Sequence, residues 1–155
     1  MTSYIVRPSG ALLGDIEMPG DKSISHRAVV LGSLAVGMTV VHGVLEAKDI
    51  QATIEGFRAM GVSIHRCPGE NCQIVGVGLR GLRAPQSDLD LGNSGTSMRL
   101  LCGVLSGQTF SSTLTGDQSL LTRPMDRVVK PLEQMGASIR VSAGGVAPLA
   151  VEPVS

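Results

Sequence analysis

Three short stretches of this 155-residue chain hold the side chains best able to do chemistry. Pro19-Gly20-Asp21-Lys22-Ser23-Ile24-Ser25-His26-Arg27 places a turn, a lysine, two hydroxyls and an arginine at the head of an apolar run. A helix starting there offers unpaired N–H groups and partial positive charge, so Lys22, Ser23 and Arg27 around it suit a phosphate or a carboxylate. The plainer alternative is that Ser23 or Ser25 caps the helix and Lys22 is solvated. Against it stands Arg27, which falls in the first turn of an otherwise apolar helix, where an anionic partner would relieve its desolvation.

Leu91-Gly92-Asn93-Ser94-Gly95-Thr96-Ser97-Met98-Arg99 repeats the arrangement: a glycine and hydroxyl loop feeds a second apolar helix with an arginine in its first turn. Its two glycines let a ligand approach the backbone, where the N–H groups near Gly95 and Thr96 can donate to an anion. The third stretch is Gly116-Asp117-Gln118-Ser119-Leu120-Leu121-Thr122-Arg123-Pro124-Met125. Pro124 suits the first position of a helix, with Arg123 at its N-cap. A cation there opposes the helix dipole and is better explained by a bound anion, a solvated or carboxylate-paired arginine being the alternative.

Other chemistries find less support. There is no GxxxxGK[ST] phosphate loop and no GxGxxG fingerprint. His26, His42 and His65 lack metal-ligand spacing, and no Ser, His and acid order points to hydrolysis; neither a metal nor a cofactor is expected. His26 could titrate near a ligand, although a plain polar role fits it better. Asp49, preceded by Glu46 and Lys48, reads as a solvated helix entry that would line the site only if it sat in a cleft. Cys67, Cys72 and Cys102 form no CxxC pair and are odd in number, which reads as reduced structural thiols.

The elements that must position these loops come from an internal repeat. Met60-Gly61-Val62-Ser63-Ile64 recurs as Met135-Gly136-Ala137-Ser138-Ile139, each copy preceded by the same order of segments. The first copy predicts a helix over 24–36, apolar nearly all round after Arg27 and hence buried. A strand over 39–44, a helix capped by Asp49 with Ile50, Ile54 and Phe57 on one face, and strands over 62–65 and 73–77 follow. The second copy predicts a buried helix over 97–105, a strand over 110–115, a helix with Met125, Val128, Val129, Leu132 and Met135 on one face, and strands over 138–141 and 149–151. Pro131 lies inside that last helix and should kink it. With opening strands over 15–18 and 87–91, each unit reads β/α/β/α/β/β, an α/β fold. The second copy ends without a capping element, which suggests a chain that continues into a third unit.

Composition agrees with a single aliphatic core: 43% of residues are hydrophobic and 17% charged, with two Phe, one Tyr and no Trp. Thirteen basic and thirteen acidic residues balance, so no nucleic acid partner or membrane surface is indicated and any anion site is local. Met1 to Val6 carries no leader pattern, and no stretch reaches the ~18 apolar residues of a spanning helix; the expected location is the cytoplasm.

The runs PGDKSISHRA, LGNSGTSMR and GDQSLLTRPM resemble, in that order, signature segments of the 5-enolpyruvylshikimate-3-phosphate synthase (EPSP synthase) family. The resemblance covers essentially the whole chain, although members of the family are considerably longer. It implies a two-domain fold of three β/α/β/α/β/β units per domain, with buried helices whose N-termini face an active-site cleft. Residues 1–13 would supply a strand to the other domain, and 14–155 two of the three units of the N-terminal domain, at about 14–80 and 81–155.

It further implies a transferase of aromatic amino acid biosynthesis. The enolpyruvyl group of phosphoenolpyruvate moves to the 5-hydroxyl of shikimate 3-phosphate, and phosphate is released. By motif, Lys22 resembles the lysine that contacts phosphoenolpyruvate and is the catalytic candidate. Ser23 and Arg27 resemble the groups that hold shikimate 3-phosphate, and Gly95 and Arg123 further contacts to phosphoenolpyruvate, with Thr96 and Arg99 supporting. The family's acid and base residues fall in its later part, so the remainder of the chain is an expected partner. The isolated stretch is expected to be inactive and the full-length protein a monomer. Ser94 and Ser97 depart from the alanines common in the second motif and Leu100 from a frequent proline, which bears on the response to glyphosate rather than on reaction type. The sister family that transfers enolpyruvyl to UDP-N-acetylglucosamine is an alternative, disfavoured because its corresponding loop typically carries Lys-Asn in place of Lys-Ser. A non-catalytic anion-binding fragment is another.

Overall fold

The computed structural model describes residues 3–8, 10, 11, 13–66 and 71–153. Cys67 and part of the proposed strand over 1–13 therefore lie outside the described residues.

The first apolar run forms helix α1 (Lys22–Leu34). Asp21, and neither Ser23 nor Ser25, is its N-cap: an Asp21 carboxylate oxygen accepts the Ile24 N–H at 2.7 Å. Ser25 instead donates to the Asp21 carbonyl and accepts the Leu45 N–H, tying the helix to the following loop. Strand β1 (Val36–His42) follows, then α2 (Lys48–Ala59), β2 (Ser63–Arg66) and β3 (Asn71–Val77). The second copy runs β4 (Leu89–Asp90), α3 (Gly95–Leu105), β5 (Ser112–Thr115), a 3-10 turn (Leu120–Thr122), α4 (Asp126–Gln134), β6 (Ser138–Ser142) and β7 (Val146–Glu152). Pro131 lies inside α4, which continues through it to Gln134.

The two copies share one sheet plan. The first sheet is ordered β1-β3-β2 and the second β4-β5-β7-β6, so β5-β7-β6 repeats the antiparallel trio and β4 adds a parallel edge. The predicted opening strand over 15–18 is absent from the first copy. Those residues are exposed and extend no ladder, and among the described residues β1 pairs only with β3. The Met-Gly repeat sits at equivalent turns. Gly61 (φ 89°) and Gly136 (φ 98°) leave α2 and α4 in the left-handed region, and the next residue's N–H closes back on the carbonyl of Phe57 or Leu132 at 3.0 Å.

Both copies feed one core. Phe57, Ile50, Ile54, Ile74, Leu91, Met98, Leu101, Leu105 and Leu114 are all fully buried in a single cluster. The α1 helix is not buried all round as its composition suggested. His26, Val29, Val30 and Ser33 pack inward, while Ile24 and Leu31 stay 68% and 66% exposed. Helix α1 packs on β1 and β3 and against α2 and α3, and nothing in the described residues covers its remaining face. No helix among the described residues is long and apolar enough to cross a membrane.

Candidate functional site

Helix starts decide where the charged loops lie. The α2 helix begins after Ala47 with no side-chain cap, so Asp49 is not the cap that its position suggested. Freed from that role, the Asp49 carboxylate forms an ion pair with Lys22 Nζ. With Lys22 half exposed and Asp49 about a quarter exposed, such a pair contributes only ~0.2–1 kcal/mol, little enough for an incoming anion to displace. The N-terminus of α2 thus lies against that of α1. Behind them, Ser97 Oγ donates to the Asp49 carbonyl at 3.1 Å, which brings in the N-terminus of α3. Three helix N-termini converge, and their partial positive charges add to Lys22 and to Arg27. Ser23 and Arg27 are exposed, Arg27 Nη1 donating to the Ser23 carbonyl at 3.1 Å.

The second loop carries its own cations. Ser94 caps α3, its hydroxyl accepting the Ser97 N–H at 3.2 Å. Arg99 Nη1 donates to the Gly95 carbonyl at 3.0 Å and Nη2 to the Pro124 carbonyl at 3.1 Å. Arg123 bonds through Nη2 to Asn93 Oδ1 and to Ser119 Oγ. Gly95 lies directly beneath both guanidiniums, since a Cβ added there would sit 2.7 Å from Arg99 Nη1 and 3.2 Å from Arg123 Nη1. Thr96 is exposed in the same turn.

Arg123 reaches this place by a route other than the one predicted. It ends the 3-10 turn in extended conformation, as a residue before proline must. Pro124 bridges Val146, the Met125 N–H donates to the Gly145 carbonyl, and α4 starts only at Asp126 with Met125 as N-cap. Arg123 is therefore not an N-cap residue, and the helix-dipole argument for an anion does not apply to it. The geometric one does, because it points at Gly95.

Two contributors were weakly signalled. Asp117 accepts Asn93 Nδ2 at 2.7 Å and the Leu120 N–H at 2.8 Å. The Asn93 amide first, then the Leu120 N–H, holds its carboxyl below the ordinary value. Thr53, on the apolar face of α2 between Ile50 and Ile54, hydrogen-bonds to His26 and Ser97; a threonine on such a face is the one available clue. His26 is wholly buried, with Nδ1 2.7 Å from Thr53 Oγ1 and Nε2 without a partner. Burial above all lowers its pKa, Asp49 opposing and Lys22 and Arg27 reinforcing. Cys72 and Cys102 are buried, and burial pushes the Cys102 thiol up to about 11.

Two copies of one α/β unit thus gather helix N-termini and arginines at their loops. The family model "EPSP synthase (3-phosphoshikimate 1-carboxyvinyltransferase)" matches residues 6–155, and the chain belongs to that family. It is 60% identical over 148 residues to the 3-phosphoshikimate 1-carboxyvinyltransferase of Alkalilimnicola ehrlichii, covering 96% of this chain and 33% of that protein. To the protein of the same name from Methylococcus capsulatus it is 58% identical, covering 96% and 34%. An EPSP synthase structure from Acinetobacter baumannii superposes with a TM-score of 0.87 at 51% identity, over 90% of this chain and 32% of that one. The chain thus spans about a third of the length of the curated relatives it matches.

Proposed function

We propose that the complete protein transfers the enolpyruvyl group of phosphoenolpyruvate to the 5-hydroxyl of shikimate 3-phosphate and releases phosphate. The observation that carries this reading is the set of cations brought together on one core from both copies, Lys22 and Arg27 from the first and Arg99 and Arg123 from the second, which suits two anionic reactants rather than one. Lys22, Gly95 and Arg123 take phosphoenolpyruvate, Ser23 and Arg27 take shikimate 3-phosphate, and Thr96 and Arg99 support the turn at Gly95. A proton added to the methylene carbon makes C2 electrophilic. The 5-hydroxyl oxygen then bonds to C2 and gives up its proton. Loss of a methyl proton and of the C2–O bond to phosphate restores the vinyl group and frees phosphate. Both reactants repel each other, so the cations act by positioning them and by stabilising charge that develops at the phosphate.

The acid and base come from the remainder of the chain, which also covers the outward face of α1. In this reading residues 1–13 give a strand to a second domain, and 14–155 form two of three units of the first. The protein works in the cytoplasm as a monomer.

Phosphate release from the two substrates tests this, using the complete reading frame and the 155-residue stretch separately. Release is expected from the first and not from the second. Sustained release by the stretch alone, abolished by Lys22→Ala, would place the whole site within these residues. A complete protein inactive on this pair but active with UDP-N-acetylglucosamine as acceptor would assign it to the sister reaction.

A further inference from the structure

Beneath the two cationic loops runs a chain of buried hydroxyls that the proposed chemistry does not use. His26 Nδ1 lies 2.7 Å from Thr53 Oγ1, Thr53 Oγ1 lies 2.7 Å from Ser97 Oγ, and Ser97 Oγ lies 2.6 Å from Ser94 Oγ. All four residues are at most 1% exposed. The chain starts on α1, crosses α2 and ends on the residue that caps α3.

Proton counting gives it a direction. Ser97 has three oxygen neighbours and one hydroxyl proton, and the Asp49 carbonyl at 3.1 Å can only accept. With its proton on Asp49, Ser97 accepts from both Thr53 and Ser94. In that arrangement Thr53 gives its proton to Ser97 at 2.7 Å in preference to the Asp49 carbonyl at 3.4 Å, and accepts from a His26 ring protonated on Nδ1. Asp49 is thus held through its backbone from below, while its carboxylate holds Lys22 above. Apolar side chains would pack in these positions without any need for matched partners. The directional contacts among these groups instead favour the one arrangement of the helices in which all of them are made, although His26 Nε2 has no partner.

We propose that Thr53 and Ser97 are positioning residues: with His26 as terminal donor, their hydroxyls lock the N-terminal turn of α2, bearing Asp49 and its partner Lys22, to the capped N-terminus of α3 beside Gly95, so that the two anion-binding loops keep one separation. This rests on the reading that the loops hold the two reactants. Such a device acts on reaction between bound ligands more than on either ligand alone, and a misplacement of about 1 Å can cost roughly a hundredfold in rate.

The test uses the complete reading frame, unaltered and as Thr53→Val and Thr53→Ser. Turnover, affinity for shikimate 3-phosphate titrated alone, melting temperature and the 15N signals of the His26 ring are measured. Thr53→Val is expected to lose about tenfold or more in kcat, within the range set by misplacement, with the affinity for shikimate 3-phosphate little changed. Thr53→Ser, which keeps the hydroxyl, restores kcat. The unaltered protein shows the His26 proton on Nδ1, and Thr53→Val displaces it. Unchanged kcat in Thr53→Val, whatever its melting temperature, overturns the proposal, as does a Thr53→Ser variant no better than Thr53→Val. If the unaltered protein releases no phosphate from the substrate pair, the reading of its function fails by that result alone. The imidazole signals then decide for the relay: a proton on Nδ1 that Thr53→Val removes supports it, and a proton on Nε2 in the unaltered protein overturns it.

Discussion

Gly95 has two guanidiniums lying where its side chain would be, so Gly95→Ala must push aside Arg99 or Arg123. A displaced charge-assisted contact costs about 1.5–3 kcal/mol, roughly ten- to a hundredfold in affinity. In the complete protein the KM for phosphoenolpyruvate should rise by about that factor, while the affinity for shikimate 3-phosphate, assigned to Ser23 and Arg27, should change little; steady-state kinetics with each substrate varied in turn checks this. Lys22→Ala should lower kcat/KM by at least the same ~1.5–3 kcal/mol, because no second lysine stands in its loop. His26 carries a prediction about pH. Its folded pKa is lowered, so below its unfolded value of ~6.5 the unfolded chain binds a proton that the folded one refuses. Stability is therefore full above that value and declines as pH falls from it towards the folded pKa, by up to ~1.4 kcal/mol per pH unit. Urea unfolding between pH 5 and pH 8, compared with a His26→Gln variant, should show the slope flatten when the imidazole is gone.

Among elements, α1 and β3 approach each other closely at glycines. A Cβ added to Gly76 would lie 2.3 Å from the Gly32 carbonyl oxygen and 2.4 Å from that of Ala35, and a Cβ added to Gly32 would lie 3.0 Å from Ile74 Cδ1. These glycines let helix and strand touch backbone to backbone, and backbone cannot step aside as a side-chain tip can. Gly76→Ala should destabilise by about 1–3 kcal/mol or more, the cost of overpacking, read as a lower urea midpoint at unchanged slope. Because α1 carries Lys22 and Arg27 at its head, the same variant should also weaken shikimate 3-phosphate binding in the complete protein.

The whole molecule is held by a core that does not divide at the repeat boundary. Gly56 of α2 leaves room for Leu101 of α3, whose Cδ1 would be 3.0 Å from a Cβ added there, and Leu91 lies beyond it. Leu101→Ala would open a cavity bordered by a glycine that cannot fill it, at a cost of about 2–5 kcal/mol. The expected melting curve is a single cooperative transition shifted to lower temperature for both copies together, since one cluster contains residues of each. Separate transitions for the two copies would show that their cores are independent.

What the sequence by itself determined is local: the three loops, the helices they open, the repeat and the left-handed glycine after each second helix. Apart from the repeat, which comes from matching two distant segments, each of these rests on residues within about four positions of one another, the range of caps and turns. The copies of the Met-Gly repeat have the same backbone, yet Met60 is wholly buried and Met135 is 82% exposed. That difference belongs to what packs against them, and no reading of the five matching residues contains it. Likewise the Lys22 to Asp49 pair, the Thr53 relay and the two guanidiniums over Gly95 join residues as many as 48 positions apart. Only the tertiary structure decided them, because which side chains meet across such a span is set by how helices and sheets bury their apolar faces. The polar groups pair with whatever partners that burial leaves beside them.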